Sequence, residues 1–300
     1  MAKNVNKILD TRSDRVFNII STTVLVLVLI ACFYPLYFVV VASFSDLNAV
    51  NSGQTILFPK GFHLESYRRV FQNERILTGY RNTIFYTFFG TLINLAMTLT
   101  SGYGLSNPFP GRKYVNLMII FTMYFGGGII PTYFLYKDLG LLDTVWVMLI
   151  PGAVSAYNLI ITRTFLSNNI PPELYEVAEL DGCSRFRFFF SIVLPLSTVL
   201  IAILSLFYAV GHWNSYFSAL MFLNNRKYHP LQLILREILV QNSVPIDDAT
   251  TDPEVAEMLR QIKELLKYAV IVVSSLPVLV LYPFLQKYFV KGVMIGSVKG

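Results

Sequence analysis

Residues 17–43 read FNIISTTVLVLVLIACFYPLYFVVVAS, a run without Asp, Glu, Lys or Arg. About 20 apolar residues cross the hydrocarbon core of a bilayer. The basic residues ahead of the run, Lys3, Lys7, Arg12 and Arg15, imitate a secretory signal. The apolar region of a signal is only roughly 7–15 residues long, however, so the stretch reads as a retained first membrane span.

The rest of the chain follows the same pattern. Of its 300 residues, 54% are hydrophobic and 14% charged, against about 25% charged in a soluble domain. Apolar runs predict about six spans, at 17–43, 83–105, 115–136, 144–166, 191–222 and 268–288. The fold class is therefore all-α, a polytopic membrane protein. The fifth run is too long for one crossing, and its end, Gly211-His-Trp-Asn-Ser215, is polar enough to bend, re-enter or line a cavity. Gly126-Gly-Gly128 with Pro131 predicts a kink in the third, near the outer face. Broken helix is tolerated in lipid where protein or a water-filled cavity covers the backbone.

Six spans place both termini on one side. Lys and Arg tie between the two sets of loops, but the basic N-terminus abuts the first span and the loops on its side are shorter. Short loops and span-proximal cations carry the orientation signal, so the termini are assigned to the cytoplasm. The expected organisation is a cytoplasmic segment 1–16, a membrane domain 17–290 and a cytoplasmic tail 291–300. Loops 44–82 and 223–267 face outward, and loop 167–190 faces the cytoplasm. Within the second outer loop, Asp252-Pro253 with Val255, Leu259, Ile262 and Leu266 on one face predicts an amphipathic helix entering the last span.

Several functions are excluded. The net charge of +6 is scattered, with no basic stripe and interleaved aromatics to suit nucleic acid. Cys32 and Cys183 have no metal-ligand or disulfide spacing, and no metal or cofactor is implied. There is no GxxxxGK[ST] phosphate loop, HExxH or GxSxG, so the chain is not expected to be an enzyme. Ion-coupled carriers place acids or histidines within the membrane, and these spans hold almost none; Arg163 lies near a span end, where it can snorkel. The polar residues left are neutral, among them Asn94, Asn158 and Asn214. Such groups bond helix to helix, and they also suit an uncharged, hydroxyl-rich substrate.

The stretch from Asn169 to Gly182, NIPPELYEVAELDG, reads as a short bounded helix. Asn168 or Asn169 can cap it, Pro171 or Pro172 opens it, and Glu173 and Glu176 suit its positive start. Gly182 ends it. Glu173, Glu176 and Glu179 lie on one side, and Leu174, Val177 and Ala178 on another. Between two spans, such a helix is either a lever or a passive linker.

The spacing that follows supports the lever. Glu176-Val-Ala178, then Gly182, then Ile192-Val-Leu-Pro195 resembles the EAA loop of ABC importer permeases, with Val177 in place of the first alanine. Tyr34-Pro35, Asn82-Thr83, Phe109-Pro-Gly-Arg-Lys113, Trp213-Asn214 and the ending Phe289-Val-Lys-Gly292 through Val298-Lys-Gly300 are similar to maltose-type carbohydrate permeases. Gly126-Gly-Gly128 with Pro131 and the long 223–267 loop look more like the subgroup associated with complex oligosaccharides, including pectin- or alginate-derived ones.

The resemblance implies a type I importer permease fold in the bacterial cytoplasmic membrane, importing a carbohydrate by alternating access. It implies a second homologous permease in a heterodimer, two ATP-binding subunits and an extracytoplasmic solute-binding protein. Glu176, Ala178, Asp181 and Gly182 would belong to the ATPase-docking helix, with Ile192, Leu194 and Pro195 anchoring it. Asn158, Trp213 and Asn214 are the candidates for the sugar pathway. The same motif places loop 167–190 in the cytoplasm, which the tied charges alone do not.

Overall fold

The computed structural model describes residues 11–241 and 266–280. The helix expected from Asp252 and the tail 291–300 lie outside the described residues. Every regular element described is a helix. The chain divides into two compact units, Met1–Val70 with Pro245–Val272, and Phe71–Val244 with Val273–Gly300.

In the first unit, α1 spans Arg12–Ser43. A reciprocal cap starts it, because Asp14 N–H donates to Thr11 Oγ1 and Thr11 N–H to Asp14 Oδ2. Its middle is apolar all round and exposed, as a lipid-facing helix must be. Only its last turn, Val41, Ala42 and Ser43, is buried. The following segment, expected to be loop, contains α2 (Leu47–Asn51) and α3 (Glu65–Gln72). Ser43 Oγ and Tyr67 OH share a hydrogen bond of 2.7 Å, and Phe44 stacks on Phe62 and Tyr67.

The second unit is built on α4, Glu74–Ser106. It begins at Glu74 rather than near 83, because Asn73 caps it through Arg75 N–H. Next come α5 (Arg112–Tyr124), α6 (Ile129–Asp138), α7 (Trp146–Leu149), α8 (Ala156–Asn169) and α9 (Pro172–Leu180). Then follow α10 (Arg185–Phe188), a π-turn (Phe189–Val193), α11 (Leu194–Leu196), α12 (Thr198–Trp213) and α13 (Tyr216–Phe222). A 3₁₀ turn (Arg226–Tyr228) and α14 (Leu231–Gln241) come next; of the last helix, α15 (Leu266–Val280), the residues from Val273 onward belong to this unit and the earlier ones to the first.

Three of the expected spans are not straight. The third bends by 114° between α5 and α6, at the glycine run. The fourth is split between α7 and α8 at Pro151-Gly152, where Gly152 takes a φ of +74°. The fifth bends by 81° between α11 and α12, just beyond Pro195, which lacks the N–H of a regular helix. By length and apolar composition, α1 and α4 cross a membrane unaided, and each bent pair can make one further crossing. The segment after α13, expected to be a loop, also holds α14, which periodicity alone did not pick out.

One face of α4 carries Gly79, Thr83, Tyr86, Gly90, Asn94, Thr98 and Gly102, all buried. Small residues let neighbouring backbones come close, which is how helices associate without a hydrophobic drive in lipid. A Cβ on Gly79 would lie 2.6 Å from Ile234 of α14, and one on Gly102 would lie 2.4 Å from Thr162 of α8. On Gly90 it would lie 2.4 Å from the His212 ring of α12. Gly104 on the same helix faces open space.

Gly90→Val should therefore destabilise the protein by about 1–3 kcal/mol through overpacking. Gly104→Ala should stay within about 1 kcal/mol of the wild type, since alanine is the better helix former. Thermal unfolding of both variants in detergent checks the contrast, and equal losses would count against the packed glycine face.

Candidate functional site

The short helix α9 is sharply delimited. Pro172 occupies its first turn, and its N-cap is Pro171, which offers no side-chain bond. Neither asparagine caps it: Asn169 Nδ2 instead donates back to Phe165 O at the end of α8. The C-terminus closes as a Schellman turn, with Cys183 N–H donating to Ala178 O and Gly182 N–H to Glu179 O. Gly182 has φ +73° with open space around its Cβ position. Its requirement is therefore the left-handed backbone and not a shortage of room.

Ala178 is buried and joins one core cluster with Phe188, Phe189, Val193, Leu200, Leu204 and Tyr208. Ile192 and Leu194 pack against that cluster, whereas Pro195 is exposed at the bend. Three of the predicted docking and anchoring residues thus meet in one apolar body. Glu176 and Asp181 stay exposed, as do Leu174, Val177 and Leu180, the last at 88%. The helix therefore offers acids and bare aliphatic side chains together on its outer surface. A clamp fixes it to α10: Arg185 Nε donates to Tyr175 OH at 3.0 Å, and the Tyr175 ring meets Phe188 edge-on at 5.3 Å.

At its other end the cluster reaches a polar node that sequence reading did not assemble. The break between α7 and α8 frees backbone carbonyls, and Asn94 Nδ2 of α4 donates to two of them, Gly152 O at 2.8 Å and Ala153 O at 2.9 Å. Asn94 Oδ1 can only accept, so His212 Nε2, 2.6 Å away, carries the proton. Ser155 N–H donates to Tyr208 OH, which bonds Thr98 Oγ1 at 2.7 Å. Asn94, Pro151, Gly152, Tyr208, His212 and Ser215 line a cavity of about 250 Å³. Asn94 and His212 are each visible in the sequence as isolated polar residues, but they are 118 positions apart.

The three residues expected along the sugar pathway are placed separately. Asn158 is buried in the first turn of α8, where its carbonyl accepts from Thr162. Trp213 is buried, donates to Ser274 O at 3.2 Å and lines an almost wholly apolar cavity of about 620 Å³. Asn214 is exposed and bonds Val210 O of its own helix. Arg163, expected to snorkel, has a buried Nε without a hydrogen-bond partner among the described residues.

Residues 75–295 match the family of binding-protein-dependent transport system inner membrane components. The chain belongs to this family and is a membrane-embedded permease subunit of an ABC importer, whose complex includes ATPases and a binding protein. Among its relatives, the polygalacturonan/rhamnogalacturonan transport system permease protein YtcP of Bacillus subtilis (strain 168) is 40% identical over 288 residues, covering 96% of this chain and 99% of that protein. Protein LplC of the same organism is 39% identical over 292 residues, 97% of each chain. Among solved structures, a chain in the crystal structure of a bacterial ABC transporter involved in the import of the acidic polysaccharide alginate matches with a TM-score of 0.84 and 33% identity, covering 94% of this chain and 99% of that one.

Three substitutions, at two positions, separate the roles in this region. Gly182→Ala should cost about 1–2 kcal/mol, the penalty of a left-handed backbone, whereas Gly182→Asn, a residue that tolerates this conformation, should recover most of it. Asn94→Ala should cost about 1–3 kcal/mol or more by leaving buried carbonyls unpaired. Unfolding measurements on the purified protein check all three.

Proposed function

We propose that the chain forms one half of the translocation pathway for an oligosaccharide derived from an acidic polysaccharide. It pairs with a second homologous permease, and two ATP-binding subunits dock on the exposed surface of the α9 helices. An extracytoplasmic binding protein delivers the sugar to the outer loops, 44–82 and 223–267. Both termini and loop 167–190 lie in the cytoplasm.

The observation that carries this reading is the continuity of the core cluster from Ala178 to Tyr208. Protein interiors are close-packed and transmit displacement. A push on Glu176, Val177 and Asp181 reaches Phe188 and Val193, then Leu200 and Leu204, and then Tyr208 at the break between α7 and α8. Gly182 sets the turn, and Ile192, Leu194 and Pro195 tie it to α12. The sugar passes the end of α12, where the neutral amide of Asn214 is exposed and can bond sugar hydroxyls; Asn158 and Trp213, both buried, pack behind that path.

The reading of the sugar as acidic is supported by what the relatives' names say of those proteins. Energy comes from the ATPases, which accords with a pathway lined by neutral polar groups.

Glu176→Lys should insert normally, yet lower oligosaccharide-stimulated ATP hydrolysis of the reconstituted complex about tenfold, the factor that roughly 1.4 kcal/mol of lost docking energy gives. Arg185→Ala should lower it less, by loosening α9 on α10. Wild-type stimulation in both variants would rule out α9 as the docking helix.

A further inference from the structure

Away from the coupling helix, a cavity of about 350 Å³ opens between the first turns of α4 and the 3₁₀ turn after α13. This is within the range of ligand sites, about 300–1,000 Å³. Arg75, Arg81, Arg226 and Lys227 line it, with Glu74 as the one acid among its lining residues. Glu237 takes Arg75 in an ion pair, and Lys227 lies over the Tyr228 ring at 5.9 Å. Arg81 and Arg226 have no carboxylate partner among the described residues, and both are exposed to the cavity side of solvent.

The two cationic elements are held together by bonds from one turn of α4. Asn82 Nδ2 donates to Lys227 O at 2.7 Å and His229 O at 3.0 Å. Tyr86 OH donates to Tyr228 O at 2.9 Å, and Leu231 N–H donates to Thr83 Oγ1 at 2.8 Å. Like charges brought to one cavity repel, and the repulsion is relieved when an anion enters. A rigid framework that brings two guanidinium groups without carboxylate partners to one cavity suits carboxylates, which arginine grips in its planar fork.

We propose that Arg81 and Arg226 form a carboxylate-binding site for the acidic oligosaccharide on the outer side of the permease. The proposal rests on the transport reading above, which places the turn at 226–228 on the face where sugar arrives. The site holds the uronate groups by charge, before the neutral pathway reads hydroxyls.

The test compares the wild-type complex with Arg81→Gln/Arg226→Gln and Arg81→Lys/Arg226→Lys in proteoliposomes. The probes are a short oligogalacturonate and its methyl ester, which lacks the carboxylate charge. The glutamine variant should raise the apparent KM for oligogalacturonate about tenfold, with kcat within about twofold. The ester should be imported equally by wild type and variant, and the lysine variant should recover part of the affinity. An unchanged KM would overturn the site. So would an equal loss for acid and ester, which points to docking of the binding protein, or a loss seen only in phosphatidylglycerol vesicles, which points to lipid phosphate. Binding of oligogalacturonate to the purified complex, weakened about tenfold in the glutamine variant, reads the site separately. If wild type binds but never imports in the presence of ATP, the transport reading fails and the site stands.

Discussion

The amide of Asn94 is the contact on which the membrane unit depends. A helix broken inside a bilayer exposes carbonyls that no water can satisfy, each at a cost of several kcal/mol. The chain breaks at Pro151-Gly152, and the two donors of Asn94 meet the carbonyls of Gly152 and Ala153. Its oxygen then holds His212 of α12. One side chain on α4 thus ties three segments, and the ring it holds lies against Gly90, where a side chain would collide with it. The glycines at 79, 90 and 102 belong to the same arrangement, since only close approach brings these partners into bonding distance.

The α9 helix is built on a different principle. It has no side-chain N-cap and little apolar burial of its own; Ala178 is its sole buried residue. Its placement comes from the Schellman turn at Gly182, the Arg185–Tyr175 clamp and the seat of Ala178 among Phe188, Phe189 and Val193. A rigid seat with an exposed outer face suits an element that is pushed by a partner. The π-turn and bend that follow, around Pro195, are the sort of irregularity that lets packed helices shift against one another.

Much of this was legible in the sequence, and unequally so. The 17–43 run declared the membrane, and Gly182 declared the end of α9, because length and backbone conformation are local properties. Gly126-Gly-Gly128 marked the bend between α5 and α6 for the same reason. The break in the fourth span was also written locally, as Pro151-Gly152, but a continuous apolar run masked it. Asn94 and His212 could be named only as lone polar residues, because hydrophobic periodicity says which face is buried and not which distant helix meets it. The same limit applies to Asn158, Trp213 and Asn214, which share a polarity suited to sugar but sit in separate environments. Asn169 was a plausible cap by type, and the preceding helix took its side chain instead.

The account makes this chain a permease that moves its cargo only when ATPases drive it. The direct measurement is uptake of labelled oligogalacturonate into proteoliposomes. One set holds the chain with its partner permease, ATPase subunits and binding protein, and another holds the chain alone under a proton or sodium gradient. The account predicts ATP-dependent uptake by the full complex and none by the chain alone. Gradient-driven uptake by the chain alone, with no response to ATP in the complex, would contradict it.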